Sequence, residues 1–104
     1  MLTLVTGNRD KVREFERILG ISLTHKQVEL EEIQSVEFGP VVEKKARLAQ
    51  REINGPVLVE DTGIRIAAWN GLPGALTKWF VSTVGVEGLC RMLSAEPNRR
   101  ATAV

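Results

Sequence analysis

The first twenty residues constrain this chain most. Leu2 to Val5 is a short apolar run suited to a strand, and Thr6-Gly7-Asn8 is a turn. From Arg9 to Leu19 the apolar residues Val12, Phe15, Ile18 and Leu19 fall at helical spacing. Asn8 is a residue type that caps a helix start, and Gly20 one that stops its end. A strand turning directly into a helix is the unit of α/β folds, so the rest of the chain is read for its repetition.

The alternation continues. Ile21 to Leu30 reads as a weakly alternating strand and Glu31 to Gly39 as a loop. Pro40 then opens a second helix, since proline suits the first turn. Its apolar stripe is Val42, Ala46, Ala49 and Ile53, with Lys44, Lys45, Arg47 and Arg51 largely off it. Asn54-Gly55-Pro56 breaks that helix. Val57-Leu58-Val59 reads as a strand covered on both faces and ends in Glu60-Asp61. Thr62-Gly63 turns the chain, and Ile64, Ile66 and Ala68 alternate along another strand. After the loop Asn70 to Gly74 comes a helix with Leu76, Phe80 and Val84 on one face and Gly85 as its stop. A further helical turn carries Leu89, Met92 and Leu93, and Ala101 to Val104 starts another strand. The expected fold is α/β: a mixed twisted sheet with flanking helices, in a single domain over residues 1–104.

Composition excludes several classes. A net charge of +1 gives no broad field for a nucleic acid polymer or an anionic membrane. Any phosphate site must be built locally, from a few cations brought together. No segment is long and apolar enough to span a bilayer. Cys90 is the only cysteine, so no internal disulfide forms and a reducing, cytoplasmic setting is expected. Cys90 is assigned to the core, and Trp69, Trp79 and Phe80 are residues that can stack on a base but more commonly are buried. His25 and Glu29 lie too far apart along a strand to share a metal.

The chemistry-bearing residues fall in separate stretches. Thr6-Gly7-Asn8 with Lys11 in the next turn can cradle a phosphate, because a helix start offers unpaired amides and partial positive charge. A plain asparagine cap with a solvated lysine is the equal alternative. Glu60-Asp61 ends a buried strand, where functional groups of parallel sheets gather, and a carboxylate there can hold Mg²⁺ or take a proton from water. Taken alone, such acids more often cap their own turn. Glu31 and Glu32 are hard oxygen donors or a solvated pair, and Lys45 and Lys78 are phosphate partners or solvated lysines. Together they offer what a triphosphate needs: cations, a metal-holding carboxylate and a base for water.

Thr6-Gly7-Asn8-Arg9-Asp10-Lys11 followed by Glu14-Phe15 resembles the opening signature of the Ham1 and inosine triphosphatase family. Gly55 to Gly63, with Glu60-Asp61-Thr62-Gly63, resembles the second, and Gly71-Leu72-Pro73-Gly74 with Lys78-Trp79-Phe80 the third. The resemblance implies that Thr6, Gly7, Asn8, Lys11, Lys45, Thr62 and Lys78 hold the phosphates. It implies Mg²⁺ on Glu32 and Asp61, with Glu31 as a substitute for Glu32. Asp61, Lys45 and Glu60 become the catalytic set, Asp61 orienting or deprotonating the attacking water. The implied reaction is attack of water on the α-phosphorus of ITP, dITP or XTP, giving the nucleoside monophosphate and pyrophosphate. The motifs match the N-terminal half of such an enzyme, and the resemblance places the base-reading segments in the other half. A phosphate-binding module without turnover, assembling through an exposed sheet edge near Val104, is the alternative, and that edge leads to the expectation of a homodimer.

Overall fold

The structure, a computed structural model, describes all 104 residues, Met1–Val104. The fold is α/β, in two compact units: Met1–Ile33 with Val42–Glu60, and Gln34–Val41 with Asp61–Val104.

In the first unit, β1 (Thr3–Val5), β2 (Thr24–Lys26) and β3 (Val57–Leu58) form a parallel sheet in the order β2-β1-β3. Leu4 faces His25 on one side and Leu58 on the other. Parallel neighbours need long crossovers, and helix α1 (Arg9–Leu19) supplies the one from β1 to β2. Most of α2 (Phe38–Ile53) lies on the path from β2 to β3. The central strand is wholly buried, and Leu4 packs with Val12 and Leu23, flanked by Leu2, Phe15 and Leu58. Burying a leucine side chain of this kind contributes about 2 kcal/mol. The ends of α1 follow the sequence reading. The Asn8 side chain accepts from the Asp10 N–H, and Gly20 closes the helix at φ 69°, its N–H donating to the Glu16 carbonyl.

In the second unit, β4 (Ile64–Ile66), β5 (Pro73–Gly74) and β6 (Ala101–Ala103) form an antiparallel sheet in the order β5-β4-β6. A short 3-10 turn, Ala67–Trp69, follows β4. Helix α3 (Thr77–Met92) follows β5. Ile66 and Leu89 are buried, as are Phe38 and Val41 in the first turn of α2. The Arg65 guanidinium lies 5.4 Å from the centre of the Phe38 ring and 3.6 Å from Glu37. No helix of the chain is long and apolar enough to cross a membrane.

Several local expectations are corrected. Parallel and antiparallel pairings occupy two separate sheets rather than one mixed sheet. The strand read over Ile21 to Leu30 shrinks to Thr24–Lys26, the residues that pair with β1. Helix α2 starts at Phe38, ahead of Pro40, because Phe38 is buried beneath Arg65. Val57 and Leu58 are half-buried rather than covered on both faces, since β3 is an edge strand of its sheet. Ala68 lies in the 3-10 turn and not in β4. Gly85, at φ 72° and ψ 170°, interrupts α3, and helical structure resumes beyond it. On α1, Val12 is buried while Ile18 and Leu19 are exposed. Cys90 is exposed, and so is Trp79 at 60%, whereas Trp69 and Phe80 are half-buried with ring centres 6.4 Å apart.

Candidate phosphate-binding and catalytic site

The site in the first unit is built where β1 and β3 lie side by side and end together. A doubly wound sheet binds ligands outside the carboxyl ends of its strands, where neighbouring connections diverge. Here β1 leads away to β2 on one side, while β3 flanks it on the other. The Thr6-Gly7-Asn8 loop leaves β1 at that end, and Val59-Glu60 leaves β3 there.

The loop is shaped from within. The Thr6 N–H donates to the Lys26 carbonyl at 3.0 Å. The Thr6 hydroxyl accepts from the Asn8 N–H at 3.1 Å, and Asn8 Oδ1 accepts from the Asp10 N–H at 2.9 Å. Asn8 is thus the helix cap that the bland alternative described, and its side-chain oxygen is committed to the backbone. Gly7 runs close to β2: a β-carbon there would lie 2.9 Å from Gln27 Cδ. A cleft of about 340 Å³ opens beside the loop, lined by Thr6, Gly7, Arg9, His25, Lys26 and Gln27. Arg9, His25, Lys26 and Gln27 were not among the sequence candidates. The signal that finds them is the parallel pairing of β2 with β1, which sets Lys26 opposite Val5 and leaves Gln27 just after β2 as Thr6 stands just after β1.

Two of the three candidate lysines converge on one residue. Lys11 Nζ lies 2.5 Å from Glu60 Oε1, the two side chains 34% and 17% exposed. Lys45 Nζ donates to the Glu60 main-chain carbonyl at 3.1 Å and lies 3.6 Å from Glu32 Oε1. Lys45 therefore does not lie off the packed face of α2, as its place in the sequence implied; its side chain is only 20% exposed. Glu32, rather than the neighbouring Glu31, is the acid that meets it. The first unit thus gathers Lys11, Lys45, Glu60 and Glu32 from four separate stretches of sequence.

Three candidates belong to the second unit. Asp61 is half-buried, with Oδ2 out of contact with solvent. Thr62 is exposed. Lys78 is exposed in the first turn of α3, its Nζ 5.6 Å from the centre of the Trp79 ring.

No group of three or more His, Cys, Asp or Glu side chains gathers into a metal-holding cluster. Magnesium does not require one, because it keeps several waters and takes one or two carboxylates together with substrate phosphates. Glu32 suits that role, being a carboxylate 38% exposed whose ion pair to Lys45 is a loose 3.6 Å.

Fold and site define an α/β protein that assembles lysines and carboxylates at the carboxyl ends of parallel strands. The chain belongs to the Ham1 family, whose model matches residues 2–104. It is 44% identical over 105 residues to an inosine triphosphate pyrophosphatase of Fusarium vanettenii, covering 99% of this chain and 56% of that protein. It is 49% identical over 106 residues to an inosine triphosphate pyrophosphatase of Aspergillus oryzae, covering 99% of this chain and 54% of that one. The chain thus spans about half the length of the curated relatives it matches. Its fold is similar to that of a nucleoside-triphosphatase, a dITP/XTP pyrophosphatase, from Mycobacterium abscessus, with a TM-score of 0.78 at 23% identity, covering 98% of this chain and 61% of that one. The Ham1 protein of Staphylococcus aureus superposes with a TM-score of 0.76 at 22% identity, covering 96% of this chain and 57% of that one.

Proposed function

We propose that this chain carries the phosphate-handling part of a nucleoside-triphosphate pyrophosphohydrolase acting on noncanonical purine nucleotides, ITP, dITP and XTP. The observation that carries the reading is the gathering of Lys11 and Lys45 on Glu60, at the carboxyl ends of β1 and β3. Lys11, in the first turn of α1, and Lys45, from the middle of α2, are two partly buried ammonium groups, and a near-neutral chain attracts a polyphosphate through such locally gathered cations. The relatives named inosine triphosphate pyrophosphatase, at 44% and 49% identity, support the substrate class.

In this proposal Thr6, Gly7 and Asn8 shape the loop that receives the phosphates, and Lys11, Lys45, Thr62 and Lys78 contact them. Glu32 and Asp61 are the proposed Mg²⁺ ligands. The ion would neutralise phosphate charge and lower the pKa of bound water. Asp61 orients the attacking water and accepts its proton, and Glu60 stands beside it holding the lysines. Pyrophosphate leaves as water attacks the α-phosphorus. With Cys90 the one cysteine, a reducing cytoplasmic setting belongs to the same proposal.

The test is pyrophosphate release from ITP, XTP, ATP and GTP, with Mg²⁺ and with the metal chelated. Release that favours ITP and XTP and needs Mg²⁺ is the expected result. Binding of the triphosphate without release from any substrate would replace this reading by the binding-module alternative. For Lys11→Ala, titration calorimetry is expected to show triphosphate affinity weakened roughly tenfold, since a charge-assisted hydrogen bond of about 1.5 kcal/mol is lost. Unchanged affinity would remove Lys11 from the site. A homodimer is also proposed, because β6 is an edge strand with Ala101, Thr102 and Ala103 exposed. Light scattering that reports a monomer at every concentration would count against it.

A further inference from the structure

We propose that the Glu60 carboxylate is a built-in stand-in for substrate phosphate on Lys11, so that a triphosphate binds by displacing it. This rests on the reading of Lys11 and Lys45 as phosphate partners. Glu60 touches both lysines, but through chemically different groups. Its main-chain carbonyl accepts from Lys45, and its carboxylate takes Lys11. The Glu60 carbonyl carries no net charge and does not compete with an anion for Lys45, whose one carboxylate partner, Glu32, lies at a looser 3.6 Å. The carboxylate cancels the charge on Lys11.

The pair forms between groups 34% and 17% exposed, so solvent screens it only in part. It joins residues 49 apart in sequence and so fixes the Lys11 side chain, which starts in the first turn of α1, against the end of β3. A lysine so held needs no further ordering when ligand arrives. That saving is offset by the carboxylate, because one ammonium cannot serve two anions equally and the anions repel. Phosphate must therefore take Lys11 from Glu60, and Glu60 takes it back when the product leaves. Glu60 is accordingly a positioning residue, distinct in role from a general base.

The test uses inorganic tripolyphosphate without metal, measured by titration calorimetry on the unsubstituted chain, Glu60→Gln and Lys11→Ala. Displacement predicts that Glu60→Gln binds roughly two- to fivefold tighter, the range set by the worth of a partly exposed ion pair. A carboxylate needed only to build the site predicts weaker binding on its removal, and equal or weaker binding overturns the proposal. A second readout needs no substitution at Glu60: the side-chain carboxylate ¹³C resonance of Glu60 in the unsubstituted chain. On addition of tripolyphosphate it should move to the position it holds in Lys11→Ala, where its partner is missing. A resonance that stays in place overturns displacement even if Glu60→Gln binds tighter, leaving simple repulsion. If Lys11→Ala does not weaken tripolyphosphate binding, the reading of Lys11 as a phosphate partner fails first.

Discussion

Asp61→Asn is expected to lower the rate of pyrophosphate release by about 10³-fold, within the range for loss of a general base. The amide has nearly the shape of the carboxylate, so it should occupy the same half-buried place after β3. What it lacks is chemical. It carries no negative charge to face a cation, and it does not take a proton from water. In the proposed role of base the deficit should fall chiefly on kcat, because that interaction is made in the transition state, with any rise in KM reporting the loss of a metal ligand. The thermal midpoint should stay within a few degrees of the unsubstituted chain. Steady-state kinetics with ITP, beside a melting curve, checks both. Turnover of Asp61→Asn at the original rate would remove Asp61 from the chemistry and return it to the role of a turn acid.

The sequence made some of this legible because the governing interactions are local. The strand, turn and helix of residues 2 to 20 follow from side-chain spacing and from Asn8 and Gly20, and each cap acts within four residues. The motif residues were also visible, but not what they touch. Lys45 looked solvated because its partners lie at Glu32 and Glu60, and no helical pattern records them. Lys11 and Glu60 read as two independent candidates and are one ion pair. β2 is shorter than its sequence pattern suggests because its length is set by three residues of β1, and not by its own hydrophobicity. Proline marks a favourable first turn for helix α2, while burial of Phe38 under Arg65 draws the start further back. Residue type alone favours burial of Trp79 and Cys90, and helix α3 turns both to solvent.

Gly63→Ala is expected to destabilise the chain by about 3 kcal/mol, at the upper end of ordinary overpacking. Gly63 closes the Glu-Asp-Thr-Gly motif, and the motif alone does not say whether that glycine serves chemistry or packing. The geometry decides for packing. A β-carbon there would stand 2.5 Å from the Gly74 carbonyl oxygen, 2.7 Å from Thr77 Oγ1 and 3.0 Å from Phe38 Cζ. None of these neighbours yields freely. The Gly74 oxygen is main chain, and it accepts from the Thr77 hydroxyl at 2.7 Å. Thr77 Oγ1 in turn accepts from the Ile64 N–H at 3.0 Å. Gly63 itself is held from the other side by paired bonds to Val104, its N–H donating at 3.0 Å and its carbonyl accepting at 2.9 Å. Relief therefore requires breaking either the threonine bridge or the pairing to Val104. For a chain of this size each kcal/mol moves the melting midpoint by about 4–8 °C, so a fall of more than about 10 °C is expected by calorimetry. Gly39→Ala is the control, since nothing lies within 4 Å of its added carbon and alanine favours the helix. Its midpoint should hold or rise. The two motif variants then separate the roles. In Gly63→Ala lost turnover should track the lost folded fraction and recover on cooling, whereas in Asp61→Asn it should persist in fully folded protein. A Gly63→Ala chain that melts with the unsubstituted one would show that the β4 start can shift, and the glycine would need a functional explanation.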